Sequence, residues 1–320
     1  MTTLAELTTF RVGGEVSRLV RVTSSEELVA AVRAADEEQR QLLVLGGGSN
    51  LLASDAPFDG TVVAVRPGAQ IARIIDEYGA DSVIVRVWAG TIWDDFVAWT
   101  VEEHLSGIEA LSGIPGSAGA SPVQNVGAYG HEVAETIHSV EAYDRLEQRI
   151  VRLLPSELGF AYRSSAIKHS IGQPGLPGRV WWPTGRCVVL SVDFRLERSS
   201  LSAPVMYSEL ARRLGVNAGE HAEASLVRST VLELRAGKGM VLNPEDHDTW
   251  SAGSFFTNPF LPEAVAAALP EEAPRFPAGE GLVKTSAAWL IDHAGCSRAS
   301  IFPRPVTRLV HPCRPSTCSR

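Results

Sequence analysis

Apolar positions recur along the first hundred residues with two distinct periods. Val16 to Val22 (VSRLVRV) is a strand-length run rich in valine. Ser24 followed by Glu27 has capping-box spacing, and Leu28, Ala31, Val32 and Ala35 then recur at helical period. Leu42 to Leu45 is a short apolar run of the kind a buried strand shows. The opening is therefore read as β-α-β. Thr61 to Val65 and Val83 to Val87 predict further strands, and Thr91 with Asp94 predicts the start of a helix ending near Gly107. Later, Val188, Leu190, Val192, Phe194 and Leu196 alternate with Val189, Ser191, Asp193, Arg195 and Glu197. That pattern predicts a half-buried antiparallel strand. Helices are expected near Ser208 to Leu214, Ala224 to Arg235 and Ala287 to His293, with Gly215, Gly237 and Gly295 as stops. No internal repeat is visible, and the predicted class is α+β with mixed sheets and a helical second half.

Two segments escape both periods. Leu45 to Leu51 reads LGGGSNL and follows a strand. Its three glycines let backbone N–H groups converge on one point, and Ser49 and Asn50 add polar side chains, which suits a pyrophosphate nest or else a plain tight turn with an Asx cap. It is neither G-x-G-x-x-G nor a Walker sequence. Residues 112–130, SGIPGSAGASPVQNVGAYG, carry five glycines and two prolines, too many for a regular helix or a central strand. The stretch is also too apolar for a solvated linker, which argues for a functional loop with Gln124, Asn125 and Tyr129 as polar tips. Two donor-rich glycine loops in one domain fit a dinucleotide cofactor. They could equally be unrelated turns.

Composition narrows the class. A net charge of −8 leaves no basic footprint for nucleic acid, so an anionic substrate must be held by local groups. No apolar run is long enough for a membrane span, and MTTLAELTTFRVGG has no signal-peptide core. Only Cys187 precedes residue 296, so a disulfide scaffold is not expected and a cytoplasmic location is. Single residues stay ambiguous. Arg163, in FAYRSS, has a donor fork suited to a carboxylate, beside Tyr162, yet most arginines lie on the surface. Lys238 could meet a phosphate or complement a helix dipole. Tyr207, in PVMYSEL, could be a lid or a packing residue. His131-Glu132 lacks the second histidine of a zinc helix, and no metal is expected. Ser254, between Gly253 and Phe255-Phe256, is a hydroxyl in apolar company, for which a bond to backbone is the ordinary use.

Taken in order, TTFRVGG, LGGGSNLL, GIPGSAGASPVQNVGAYGHE, FAYRSS and GSFFTNP resemble UDP-N-acetylenolpyruvoylglucosamine reductases over about residues 4–295. The resemblance implies a two-subdomain FAD-binding fold of the vanillyl-alcohol oxidase type at about 11–197 (divided near residue 62). A smaller substrate-binding domain follows at 198–295. It implies noncovalent FAD, NADPH as electron source and a UDP-sugar enolpyruvyl ether as substrate, in peptidoglycan precursor synthesis. It sets Gly46, Gly47, Gly48, Ser49 and Asn50 around the FAD, together with Ile114, Pro115, Gly116, Ser117 and Gly119. Gln124, Asn125, Gly127, Ala128 and Tyr129 join them. It sets Tyr162 and Arg163 at the enolpyruvyl carboxylate, Lys238 at the diphosphate and Asn258 with the substrate. Tyr207 matches the subclass with a tyrosine over the substrate. Ser254 becomes the proton donor.

The resemblance stops after WLIDHAG. The family continues into a closing strand carrying a glutamate that acts with the arginine and serine. Residues 296–320 here hold four prolines and no Asp or Glu, so nothing in them replaces it. Three cysteines, at 296, 313 and 318, lack zinc spacing, and the composition predicts a disordered tail. Three readings follow: an active reductase, a flavoprotein that binds FAD and sugar nucleotide but turns over poorly, or another flavin oxidoreductase of the same fold.

Overall fold

A computed structural model describes residues 2–251, 253, 256–279 and 281–295. The chain begins with β1 (Val16–Val22), α1 (Ser25–Glu37), β2 (Gln41–Leu45) and β3 (Phe58–Val65). These form a three-stranded sheet of order β1-β3-β2, parallel throughout, as the β-α-β pattern requires. The central β3 is buried on both faces from Gly60 to Val65, hence its unbroken apolar run. The cap of α1 forms as predicted on one side only. Ser24 accepts from the Glu27 N–H at 3.2 Å, while the Glu27 carboxylate takes the Thr23 N–H instead of its own partner's. Leu28, Val32 and Ala35 carry the helix onto the core.

The second sheet is built from β4 (Ala72–Tyr78), β5 (Ser82–Trp88), β6 (Leu105–Ser106), β9 (Ile137–Asp144), β10 (Arg149–Leu153) and β11 (Cys187–Arg198). Its order is β10-β9-β11-β5-β4, all antiparallel, with β6 also on β11. A small hairpin pair, β7 (Gly127–Ala128) and β8 (His131–Glu132), lies outside it. The strand expected to be half-buried is not. From Val188 to Phe194, β11 is buried at every position, because it is the central strand and both faces are covered. The polar face predicted at Ser191 and Asp193 is inside, where Asp193 is paired with Arg86.

Three strands, β4, β9 and β10, carry no clean alternation. In β4 the register shifts between Ile74 and Asp76, and six of its seven residues are exposed. The predicted start of the next helix is also corrected. Helix α2 (Trp93–Glu102) opens after Ile92 without a side-chain cap, and ends before Gly107. Thr91 donates instead to Ile71 O at 3.2 Å, and Asp94 is drawn away by tertiary partners. Trp93, Phe96 and Phe194 form the aromatic centre of the core, with ring centroids 5.2–5.9 Å apart.

Short helices α3 (Pro155–Leu158) and α4 (Ala166–His169) flank the FAYRSS turn, and α5 (Ser208–Leu214) packs on α6 (Ala224–Ala236) through Val205, Leu210, Val227 and Val231. All of this lies in the first of two compact units, Met1–Ala252. The second unit, from Gly253 on, has β12 (Phe260–Pro262), α7 (Glu263–Ala267), β13 (Phe276–Pro277), β14 (Leu282–Lys284) and α8 (Ala287–His293). Its strands form an antiparallel sheet of order β12-β14-β13. The predicted tail, 296–320, lies outside the described residues. Among the described residues no helix is long and apolar enough to cross a membrane.

Candidate flavin and substrate site

The two glycine loops that the sequence left unconnected meet. Ser49 Oγ donates to Pro115 O at 3.1 Å, and Asn50 Nδ2 donates to Gln124 Oε1 at 3.2 Å. A Cβ on Gly47 would stand 2.8 Å from the Gly116 α-carbon, so the two backbones come this close only because Gly47 has no side chain. Each loop is also braced from behind. Thr9 N–H donates to Gly48 O at 3.0 Å, which gives the early TTFRVGG stretch a structural task. Arg66 holds Gly46 O at 2.9 Å. On the other loop, Trp93 N–H binds Gly116 O, and the N–H groups of Ala118 and Gly119 bind Thr91 O and Ala89 O.

The bracing uses carbonyls of the first loop and leaves donors over. Among the described residues no acceptor meets the backbone N–H of Gly47, Ser49, Gly116 or Ser117. Unspent N–H groups on two turns that touch are the donors an anionic pyrophosphate needs. These residues therefore fit FAD. Gly47→Val is expected to part the two turns, since the obstructing atom is backbone and cannot rotate away. FAD affinity, read by flavin fluorescence, should fall about ten- to a hundredfold. An unchanged affinity would exclude the cradle.

A second group of residues adjoins the 112–130 loop. Ala161 and Ser164 close a tight turn that puts Tyr162 and Arg163 at its tip, Arg163 at φ 54°. The Arg163 guanidinium donates to Asn125 O at 3.0 Å and Gly127 O at 2.6 Å, lies 3.7 Å from Glu132 and stacks over the Tyr162 ring. Two bonds fix the fork, and its remaining N–H groups can serve a ligand carboxylate. The Asn125 side chain, buried, is spent inside the protein: its Nδ2 donates to Glu132 and to Ala161 O, and its Oδ1 accepts from Ala134 N–H. It latches the loop, so any ligand contact it makes falls to its backbone.

Tyr129 and Tyr207 meet edge to face at 5.4 Å. Burial pushes the Tyr129 phenol above its ordinary pKa. Lys238 Nζ lies 3.0 Å from the Glu209 carboxylate, two residues past Tyr207, and that bond raises the lysine pKa. The side chain thus answers a carboxylate and not only a helix end. Glu209 and Arg235 had no motif to announce them. Nor did Asp94, which accepts from Gly113 N–H at 2.6 Å and binds Arg228 through both oxygens at 2.6 and 2.9 Å. That carboxylate ties the start of the glycine loop to α6.

His131 is bound to Glu135 and to Pro204 O, and among the described residues no cluster could hold a metal. Burial pushes the Cys187 thiol up to about 11, which suits packing and not nucleophilic work. In the second unit Asn258 Oδ1 accepts from Ala287 N–H at 3.0 Å, at the start of α8. Ser254 lies outside the described residues.

Residues 16–153 match the family model of an FAD binding domain. The UDP-N-acetylenolpyruvoylglucosamine reductase of Streptomyces coelicolor is 50% identical, over 92% of this chain and 74% of its own length. That of Salinispora arenicola is 49% identical, over 96% and 81%. Among solved structures, the UDP-N-acetylenolpyruvylglucosamine reductase of Thermus caldophilus superposes with a TM-score of 0.54 at 26% identity, covering 92% of this chain and 79% of that one. Half-identity sustained over nine-tenths of the chain, on two turns that fit a flavin dinucleotide, makes this protein a member of the UDP-N-acetylenolpyruvoylglucosamine reductase family.

Proposed function

We propose that the chain reduces UDP-N-acetylenolpyruvoylglucosamine to UDP-N-acetylmuramate, with NADPH as electron source and FAD as carrier. The observation that carries this reading is the junction of the two glycine turns, with the Tyr162-Arg163 turn bonded to the same loop, in a chain half-identical to reductases of that name. Residues 11–197 would hold the cofactor and 198–295 the sugar nucleotide.

Bound FAD supplies hydride chemistry. Gly46 to Asn50 and Ile114 to Gly119 line it, with the N–H groups of Gly47, Ser49, Gly116 and Ser117 as the donors left over, and Gln124, Asn125 and Gly127 to Tyr129 flank it. Arg163, already fixed by two carbonyls, holds the enolpyruvyl carboxylate and stabilises charge that develops there. Tyr162, Tyr207, Lys238 and Asn258 position the substrate, Lys238 at its diphosphate. Once the terminal carbon is reduced, the adjacent carbon is strongly basic. Ser254 is assigned the proton transfer to it: the O–H bond breaks, a C–H bond forms, and the alkoxide is reprotonated from solvent. A serine hydroxyl is a poor acid in water, and only a strongly basic carbon at contact distance makes it useful.

NADPH oxidation by the purified flavoprotein, with and without the enolpyruvyl substrate, tests the reading. Oxidation should depend on that substrate, and a rate indifferent to it would favour a different flavin oxidoreductase. In the same assay Arg163→Lys should lower kcat/KM about a hundred- to a thousandfold, because a lysine keeps the charge and loses the fork that binds Asn125 O, Gly127 O and the carboxylate together.

A further inference from the structure

In the proposed function Arg163 holds the enolpyruvyl carboxylate, yet it sits in a conformation that an arginine does not favour by itself. Its φ of 54° lies in the left-handed region, where a side chain crowds the backbone. Such a residue persists only where its surroundings over-determine it. The guanidinium end is fixed by Asn125 O and Gly127 O. At the backbone end, Lys168 Nζ donates to Arg163 O at 3.0 Å.

Lys168 reaches that carbonyl because α4 follows the turn directly. Ser165 caps the helix by accepting the Lys168 N–H at 3.2 Å, and its hydroxyl is itself tied to Val123 O. One turn of helix then brings the ammonium back over the FAYRSS turn. The lysine is half-buried. Burial lowers its pKa, and the charge of Arg163 lowers it further. Among the described residues no carboxylate offsets that effect. Two like charges close together in a partly dry place are unfavourable, and for stability alone an apolar side chain would serve at least as well. What Lys168 supplies is the bond to Arg163 O, so its loss should be felt where Arg163 acts.

We propose that Lys168 is a positioning residue for Arg163: its ammonium holds the Arg163 carbonyl, keeps the residue in its left-handed turn and so aims the remaining guanidinium N–H groups at the substrate carboxylate. The assignment rests on the proposed function, and it gives Lys168 no contact of its own with substrate or cofactor.

Stopped-flow absorbance of the flavoprotein separates the two half-reactions, and a double-mutant cycle separates positioning from packing. In Lys168→Met, flavin reduction by NADPH should keep its wild-type rate. The second-order rate constant for reoxidation by the enolpyruvyl substrate should fall about 10- to 100-fold. Lys168→Arg, which keeps a donor on a long stem, should recover most of that loss. In an Arg163→Lys background the same Lys168→Met change should lower the constant less than about threefold, since no fork remains to be aimed. A fully additive loss in that background would make Lys168 a packing residue and overturn the proposal. Wild-type reoxidation in Lys168→Met, or equal slowing of both phases, would overturn it too. Should Lys168→Met fail to fold, Lys168→Gln, neutral and one bond shorter, enters the same cycle with the same expectations. If the enolpyruvyl substrate does not reoxidise the reduced wild type, the proposed function itself fails, and this assignment with it.

Discussion

Ser254→Ala is expected to leave cofactor reduction by NADPH at its wild-type rate and to slow reoxidation by the enolpyruvyl substrate about 10²- to 10⁴-fold. The two half-reactions separate because they ask different things of the protein. On the proposed reading, taking electrons from NADPH needs only the cofactor held by the two glycine turns, and nothing from a proton donor to the substrate. Handing them on needs a proton at one carbon, at the moment that carbon becomes basic. Alanine fills the same space without the O–H, so binding should change little and the loss should appear in kcat. Stopped-flow absorbance resolves the two phases. Equal slowing of both phases would point to disturbed packing, and unchanged reoxidation would remove Ser254 from the chemistry.

Asp193→Asn should destabilise the protein by about 3–5 kcal/mol, the range found when one partner of a buried pair is removed. Asp193, on the central strand β11, has a side chain 2% exposed. It accepts from Arg86 at 2.7 and 2.9 Å and from Ser139 Oγ at 2.9 Å. Burial by itself would raise the pKa of this carboxyl. The bonds from Arg86 and Ser139 outweigh it and hold the group below its ordinary value. A depressed folded value means the stabilisation is present above the unfolded carboxyl pKa of about 3.9 and is lost as pH falls through the folded one. Asparagine cannot offer Arg86 a charge. Glu141, 3.9 Å from Arg86, is a weak substitute and draws the cost toward the lower end. Urea midpoints at neutral pH measure it. A loss under about 1 kcal/mol would mean that the pair adds nothing the sheet does not already supply. The wild type should lose its advantage over Asp193→Asn as the pH is lowered, and a constant gap would contradict the coupling.

Much of the architecture was legible in the pattern of apolar residues. The Ser24-capped helix was readable because it satisfies itself locally, by period and by a cap within three residues, and Val16–Val22 because a strand-length apolar run marks a strand even though its partner, β3, lies more than forty residues away. The helices at Ser208–Leu214 and Ala287–His293 fell where their periods and flanking glycines put them. Strand β11 was found for its alternation and misjudged for its burial, since alternation reports one covered face and cannot report that a second layer covers the other. Asp94 was misread for a similar reason. Its spacing from Thr91 fits a cap, yet Gly113 N–H and Arg228 compete for the same oxygens and win at 2.6 Å.

The sequence by itself determined the secondary elements that close their own hydrogen bonds, and it marked the glycine runs where regular structure cannot continue. Whether those runs formed one site was decided only in three dimensions, by Ser49 on Pro115, Asn50 on Gln124 and Gly47 against Gly116, pairs 66 to 74 residues apart where bonded. The same holds for the buried Arg235 Nε, which meets no partner among the described residues, and for the Lys238–Glu209 pair. Burial and partnership are properties of what the chain brings alongside a residue, and no local spacing encodes them.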